Sequence, residues 1–188
     1  MASNNPLEES SLIMKQAPDI LSVFSVDVDI NNSTFSLNTL ELNNCTLTGT
    51  IPSNLLATMP LLERLDLGNN RLYGSIPSTG ASDSDLPLRY LDLGSNLLVG
   101  SIPDTLPLGL EWLDLSENVG LTGSLPMDLA PWNKLQHLEL HSNPNLKGQV
   151  SFEVCRGRQD NFTLFEQAVV GCNIPCPTCC LPSGTACS

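Results

Sequence analysis

Five stretches of this chain share one register of apolar and polar places: "LNTLELNNCTLTGTIP" from Leu37, "LERLDLGNNRLYGSIP" from Leu62, "LRYLDLGSNLLVGSIP" from Leu88, "LEWLDLSENVGLTGSLP" from Leu110 and "LQHLELHSNPNLKGQV" from Leu135. Their starts, 37, 62, 88, 110 and 135, are 25, 26, 22 and 25 residues apart. A fixed period of this kind marks a solenoid, because a unit so short cannot bury its own leucines and must stack on its neighbours. In the copy at Leu62, Leu65 and Leu67 keep the period of two expected of a strand, and turn signals follow at Gly68-Asn69-Asn70 and again at Gly74. The leucines are therefore the inside of a coil.

The spacing and the L-x-x-L-x-L strand resemble leucine-rich repeats of about 20 to 29 residues, and the L-x-G-x-I-P half of each unit resembles the plant-type, extracellular subclass. The resemblance covers Leu37 to about Ser151. It implies an α/β solenoid dominated by short parallel strands, a right-handed curved stack of about five units with a cap at each end. The domain limits that follow are an N-terminal cap over 1–36, repeats over 37–151 and a cysteine-rich C-terminal cap over 152–188. The ninth place of the units reads Cys45, Asn70, Asn96, Asn118 and Asn143, a column whose amides can satisfy backbone groups of a buried turn. Glycines 49, 74, 100, 123 and 148 permit a second tight turn, and the prolines after Ile51, Ile76, Ile102 and Leu125 are expected to keep helix from the convex side. The fourth and fifth units each carry one residue more after the Asn, at Val119-Gly120 and Pro144-Asn145, so their turns should bulge. The convex piece Ser78 to Asp85 reads as a polar loop.

Before the repeats, Asn5 to Glu8 forms a capping-box pattern with Pro6 at the first helical place, and Pro18 ends the run, which predicts a short helix. Val26, Val28 and Ile30 then alternate with Asp27 and Asp29 as in an edge strand. Six of seven cysteines, Cys155, Cys172, Cys176, Cys179, Cys180 and Cys187, follow the last repeat. The expectation is three disulfides in a cap, and a bridge from Cys155 to Cys172 would contribute on the order of 3 kcal/mol. Zinc is the rival reading, from the C-x-x-C spacing of Cys176 and Cys179, but the tail has no His and adjacent cysteines suit oxidative pairing. The tail "CNIPCPTCC" resembles the cysteine-rich ends of algal, diatom-like repeat proteins. Asn31, Asn32, Asn44 and Asn161 each begin an N-x-S/T triplet, an acceptor for glycan on a secreted chain.

Eight Lys and Arg against twenty Asp and Glu give a formal charge of -12, which disfavours nucleic acid and anionic membranes as partners. No apolar run reaches the roughly 18 residues of a membrane span, and the first residues have no apolar signal core. With the cysteines, this suggests a domain excised from a secreted or membrane-anchored precursor.

In each strand the third, fifth and seventh places face away from the core, toward the concave side. The fifth reads Glu41, Asp66, Asp92, Asp114 and Glu139, and the third reads Thr39, Arg64, Tyr90, Trp112 and His137. Strands about 4.8 Å apart would bring the acids near 5 Å, where neighbours repel by about 0.8 kcal/mol in water and about 3 kcal/mol at an effective dielectric of 20. A cationic partner would relieve that repulsion. Arg, Tyr and Trp also dominate binding hot spots. Arg64, Asp66, Tyr90, Asp92, Trp112, Asp114, His137 and Glu139 are therefore the candidate ligand-binding residues, on a concave face that recognises a protein or peptide without cofactor or metal. The resemblance implies roles such as receptor ectodomains or inhibitors of secreted glycosidases. His137, Glu139, His141 and Ser116 nominally supply base, carboxylate and nucleophile, but no oxyanion hole accompanies them, so the expectation is a binding module and not an enzyme. The alternative is a protein that adsorbs to surfaces or glycans through the hydroxyl column Thr50, Ser75, Ser101 and Ser124.

Overall fold

The computed structural model describes residues 11–13, 37–78, 86–125, 134–148 and 167–169. In chain order its elements are β1 (Ser11–Ile13), β2 (Thr39–Glu41), β3 (Thr48–Thr50), α1 (Leu55–Thr58), β4 (Arg64–Asp66), β5 (Arg71–Gly74), β6 (Tyr90–Asp92) and β7 (Leu97–Gly100). There follow β8 (Trp112–Asp114), β9 (Gly120–Leu121), β10 (Gly123–Ser124), β11 (His137–Glu139), β12 (Leu146–Lys147) and β13 (Gln167–Val169). The strands form a parallel-strand solenoid with little helix. One long sheet runs β1-β2-β4-β6-β8-β11-β13; a second runs β3-β5-β7-β9, with β10 and β12 paired beyond it. Each unit thus contributes one strand to the long sheet and a second, after its turn, to the other side.

The repeated leucines fill the space between. Leu40, Leu65, Leu91, Leu113 and Leu138, the middle residues of successive strands, are buried in one continuous core with Leu42, Leu67, Leu93, Leu115 and Leu140. Truncating one such leucine to alanine typically costs 2–5 kcal/mol, roughly, because the column cannot close over the void.

The turn after each long-sheet strand is fixed by an amide. Asn118, wholly buried, accepts the Leu98 N–H at Oδ1 (3.0 Å) and donates from Nδ2 to the carbonyls of Leu93 (3.0 Å), Leu115 (3.2 Å) and Ser116 (3.1 Å). Asn70, Asn96 and Asn143 repeat this pattern, each joining its own turn to the preceding coil. Cys45 fills the same place in the first unit, buried, with its thiol donating to the Asn43 carbonyl at 3.2 Å. The residue just before the column is left-handed in every unit: Asn44, Asn69, Ser95, Glu117 and Ser142 have φ of 51, 55, 52, 55 and 59°. Glycines 49, 74, 100, 123 and 148 are left-handed too, with φ from 84 to 112°, as the second tight turn requires.

Two expectations change. Residues 11–13, inside the expected N-terminal helix, form β1, which pairs in parallel with β2; the bare edge of the first repeat strand offers N–H and C=O groups that a strand satisfies and a helix does not. The proline after Ile51 does not exclude helix, since the Leu55 N–H bonds the Pro52 carbonyl at 3.0 Å and α1 begins there. A proline disfavours helix at the residue before it and within a helix interior, but not a turn opening after it. The insertion in the fourth unit bulges as expected, leaving Val119 59% exposed, and Asn145 Nδ2 of the next insertion donates to the Val119 carbonyl at 3.0 Å, so the two bulges stack. The expected edge strand at Val26–Ile30, most of the polar loop up to Asp85, and the six tail cysteines lie outside the described residues.

Candidate ligand-binding face

The backbone register decides whether the two outward columns exist. Thr39, Arg64, Tyr90, Trp112 and His137 pair directly from strand to strand, and so do Glu41, Asp66, Asp92, Asp114 and Glu139. Parallel pairing of identical units leaves no slip, so every third-place side chain stands beside the next.

The third-place column is a stack. The Arg64 guanidinium carbon lies 3.4 Å from the centre of the Tyr90 ring, the Tyr90 and Trp112 rings are 5.4 Å apart at 18°, and Trp112 and His137 are 3.4 Å apart at 8°. Ring faces are consumed within the stack, so the column presents its edges outward. Burial, followed by the negative charge of Asp92, pushes the Tyr90 hydroxyl up to about 12. Trp112 Nε1 is closed off from solvent and makes no hydrogen bond.

The carboxylates are less uniform than the sequence suggested. Each of the three aspartates turns one oxygen to its own strand end: Asp66 Oδ1 accepts the Gly68 N–H (3.2 Å), Asp92 Oδ1 that of Gly94 (2.9 Å), and Asp114 Oδ1 both the N–H (2.8 Å) and the hydroxyl (2.7 Å) of Ser116. Asp66 is 5% exposed; its Oδ2 accepts Asn43 Nδ2 at 2.8 Å and lies 3.5 Å from Arg64 Nη2, which makes it a scaffold group. Arg64 is also paired with Glu41 through Nε. Asp92, between Asp66 and Asp114, has no cation of its own among the described residues; Tyr90 Oη stands 3.5 Å from its Oδ2. Burial, together with Asp114 and Asp66 and against the Gly94 N–H, raises its carboxyl to about 6.

The seventh-place glycines make room for this row. A Cβ on Gly68 would stand 2.8 Å from Asp92 Oδ1, and one on Gly94 2.9 Å from Asp114 Oδ1. The carboxylates of Asp92 and Asp114 therefore seat on the glycine of the unit before. At the far end His137, 7% exposed, meets Glu139 Oε1 through Nε2 at 2.7 Å, and Glu139 Oε2 lies 3.5 Å from His141 Nδ1. The Ser116 hydroxyl is spent on Asp114, while His141 faces Glu139 and, at 3.9 Å, Glu117. The nominal nucleophile and base are not hydrogen-bonded to each other. No His, Cys, Asp and Glu group able to hold a metal ion occurs among the described residues, and no described helix is long and apolar enough to cross a membrane.

The face thus offers Tyr90, Asp92, Trp112, Asp114 and Glu139 between the Arg64 and His137 ends. Glu41 and Asn43, which engage Arg64 and Asp66, were missed as site-shaping residues; their signal was the shared third, fifth and seventh places. Asn44, the one sequon residue within the described set, is exposed in its left-handed turn.

The leucine-rich repeat family model matches residues 36–57, 61–82 and 87–108. Among solved structures the chain is similar to the leucine-rich repeat ectodomain of the receptor kinase SOBIR1 from Arabidopsis thaliana, at 33% identity and a TM-score of 0.52 over 60% of this chain and 59% of that one. It is similar to the Arabidopsis receptor kinase HAESA, solved with the peptide hormone IDA and the co-receptor SERK1, at 31% identity and a TM-score of 0.55 over 64% of this chain and 20% of that one. A plant ice-binding protein is 26% identical with a TM-score of 0.53, over 74% of this chain and 42% of that one. This chain therefore spans less than two thirds of each of these structures. None of the curated proteins matches it. The chain carries leucine-rich repeats, in a solenoid like those of plant receptor-kinase ectodomains.

Proposed function

We propose that this chain is a protein- or peptide-binding module, part of an extracellular receptor-like or inhibitor-like protein, and that it receives a basic segment on the outward face of its long sheet. The observation that carries the reading is the alignment of Asp92 and Asp114 beside the Tyr90 and Trp112 edges, on neighbouring strands of one face. An extended ligand crossing the strands would set cationic side chains against the acids and apolar ones against the ring edges, the pairing typical of hot spots. The similarity to HAESA, solved with a peptide hormone, supports the class of ligand.

The test is selection of a random-peptide library on the immobilised protein. Enriched peptides should be rich in Arg and Lys, and Asp92→Asn with Asp114→Asn should remove the enrichment, while Asp104→Asn, an exposed acid elsewhere, leaves it. Enrichment without basic residues, or unchanged in the double variant, would sink the reading.

A second reading, adsorption to ice or glycan, is favoured by the exposure of all four hydroxyls in the Thr50, Ser75, Ser101 and Ser124 column and by the likeness to the ice-binding protein. An ice-recrystallisation assay showing no inhibition removes its ice form, and a glycan pull-down its other form.

A further inference from the structure

The chain has two histidines, and the fold brings both to one end of the acid row. His137 lies on β11 and His141 in the turn after it, with Glu139 between them and one oxygen toward each: Oε1 is 2.7 Å from His137 Nε2, and Oε2 is 3.5 Å from His141 Nδ1. Glu117, in the turn of the preceding coil, places Oε1 3.9 Å from His141 Nε2. The parallel register enforces the grouping, since β8 sets Trp112 beside His137 and Asp114 beside Glu139. His141 Nδ1 is closed off from solvent and makes no hydrogen bond among the described residues. A neutral imidazole leaves that buried nitrogen unsatisfied, at a cost in stability. An imidazolium carries a proton on each nitrogen, and a carboxylate oxygen stands near each of them.

The surroundings set the sign of the effect. From the preceding coil the charged groups are Asp114 and Glu117, both acidic, while Glu111, just before β8, is paired with Arg89 at 2.8 Å. On the other side of β11, β13 reads Gln-Ala-Val and holds no titratable residue. Lys134, ahead of β11, is exposed. Neither neighbouring strand carries a Lys or Arg to oppose proton uptake. Histidine is the side chain that ordinarily changes charge between pH 5 and 8. Asp92, two strands along the same column with its carboxyl raised to about 6, loses its charge over the same interval. We propose that His137, Glu139 and His141 form a proton-operated switch on the outward face, which holds a basic segment near neutral pH and releases it in acid. With both imidazoles charged, the two oxygens of Glu139 are taken up between them, and the trio turns from one negative charge to one positive. The switch rests on the basic-ligand reading above and regulates that same face.

The probe is a fluorescent octa-arginine peptide, its affinity for the whole chain measured by anisotropy at about pH 8 and about pH 5 at fixed salt, with the ratio read within each variant. The wild type should bind about tenfold more weakly in acid, and His137→Gln with His141→Gln should cut that ratio to about threefold, the remainder belonging to Asp92. Because His137 is buried in the ring stack, His141→Gln alone is the second variant, and it should lower the ratio by about twofold. Proton NMR supplies a readout that needs no peptide: the ring signals of both imidazoles should move between the two pH values, and Glu139→Gln should displace both curves toward lower pH. Ring signals that stay in place overturn the inference. A ratio unchanged in a folded histidine variant, while binding at about pH 8 still depends on Asp92 and Asp114, overturns it too and leaves the basic-ligand reading standing. Binding that survives Asp92→Asn with Asp114→Asn at the higher pH overturns that reading, and the switch falls with it.

Discussion

Replacing Asn118 by alanine tests what fixes one coil to the next. The side chain is wholly buried and makes four hydrogen bonds, one accepted from the Leu98 N–H and three donated to the carbonyls of Leu93, Leu115 and Ser116. Alanine would leave the Leu98 N–H without this acceptor, a loss worth about 1–3 kcal/mol for a buried donor, and would remove two amide hydrogens worth about 1 kcal/mol each in net terms. The sum is about 3–5 kcal/mol. A chain of this size loses roughly 2–4 °C of Tm per kcal/mol, so the midpoint should drop by roughly 6–20 °C. Thermal and urea unfolding followed by circular dichroism measure it. Asn145→Ala is the control, since Asn145 is exposed and makes one bond, to the Val119 carbonyl; it should cost below about 1 kcal/mol. Asn118→Asp keeps the acceptor but directs negative charge at three carbonyls, and should be at least as damaging at neutral pH. A loss under about 1 kcal/mol for Asn118→Ala would refute the assignment of the amide column as the element that holds successive turns together.

The acid row gives a pH dependence. The Asp92 carboxyl is raised in the fold, so the folded chain holds that proton more tightly than the unfolded one; its contribution is fully present below the ordinary carboxylate range near pH 4 and is lost as pH rises through about 6. Chemical denaturation at pH 4 and pH 7 should show this difference shrink by roughly 1 kcal/mol in Asp92→Asn, a figure reduced for solvent screening. The chain has two tyrosines, and an ultraviolet titration should place one ionisation near pH 12, a step that Tyr90→Phe removes. Gly94→Ala should destabilise by about 1–3 kcal/mol, because its methyl would meet Asp114 Oδ1 at 2.9 Å; Asp114→Ala in the same chain should recover part of the loss, measured as a double-mutant cycle.

The period, the two outward columns and the asparagine column were legible because each repeats in every unit and a parallel stack turns repetition into alignment. Other features came from contacts that join residues far apart in sequence. Gly68 reads as a turn residue, and only the packed sheet shows it as the seat of the Asp92 carboxylate, twenty-four places on. Asp66 looks equivalent to Asp92 along the chain, but Asn43 and Arg64 enclose one, while the other has neither. The left-handed turn at Glu117 gave no warning, since glutamate has no preference for it; the ladder and the amide after it impose the conformation. Strand β1 was read as helix from a local capping pattern, which the open edge of β2 outweighs.

The asparagine bridges point one way. Asn70 accepts N–H groups of Cys45 and Leu47, Asn96 that of Leu72, and Asn143 that of Asn118, so each coil is completed by the one that follows it. Cutting the array from its C-terminal side strands donors in the coil left at the end, whereas cutting from the other side strands none of these. The solenoid therefore has a grain, and it should fray and tolerate shortening unequally at its two ends.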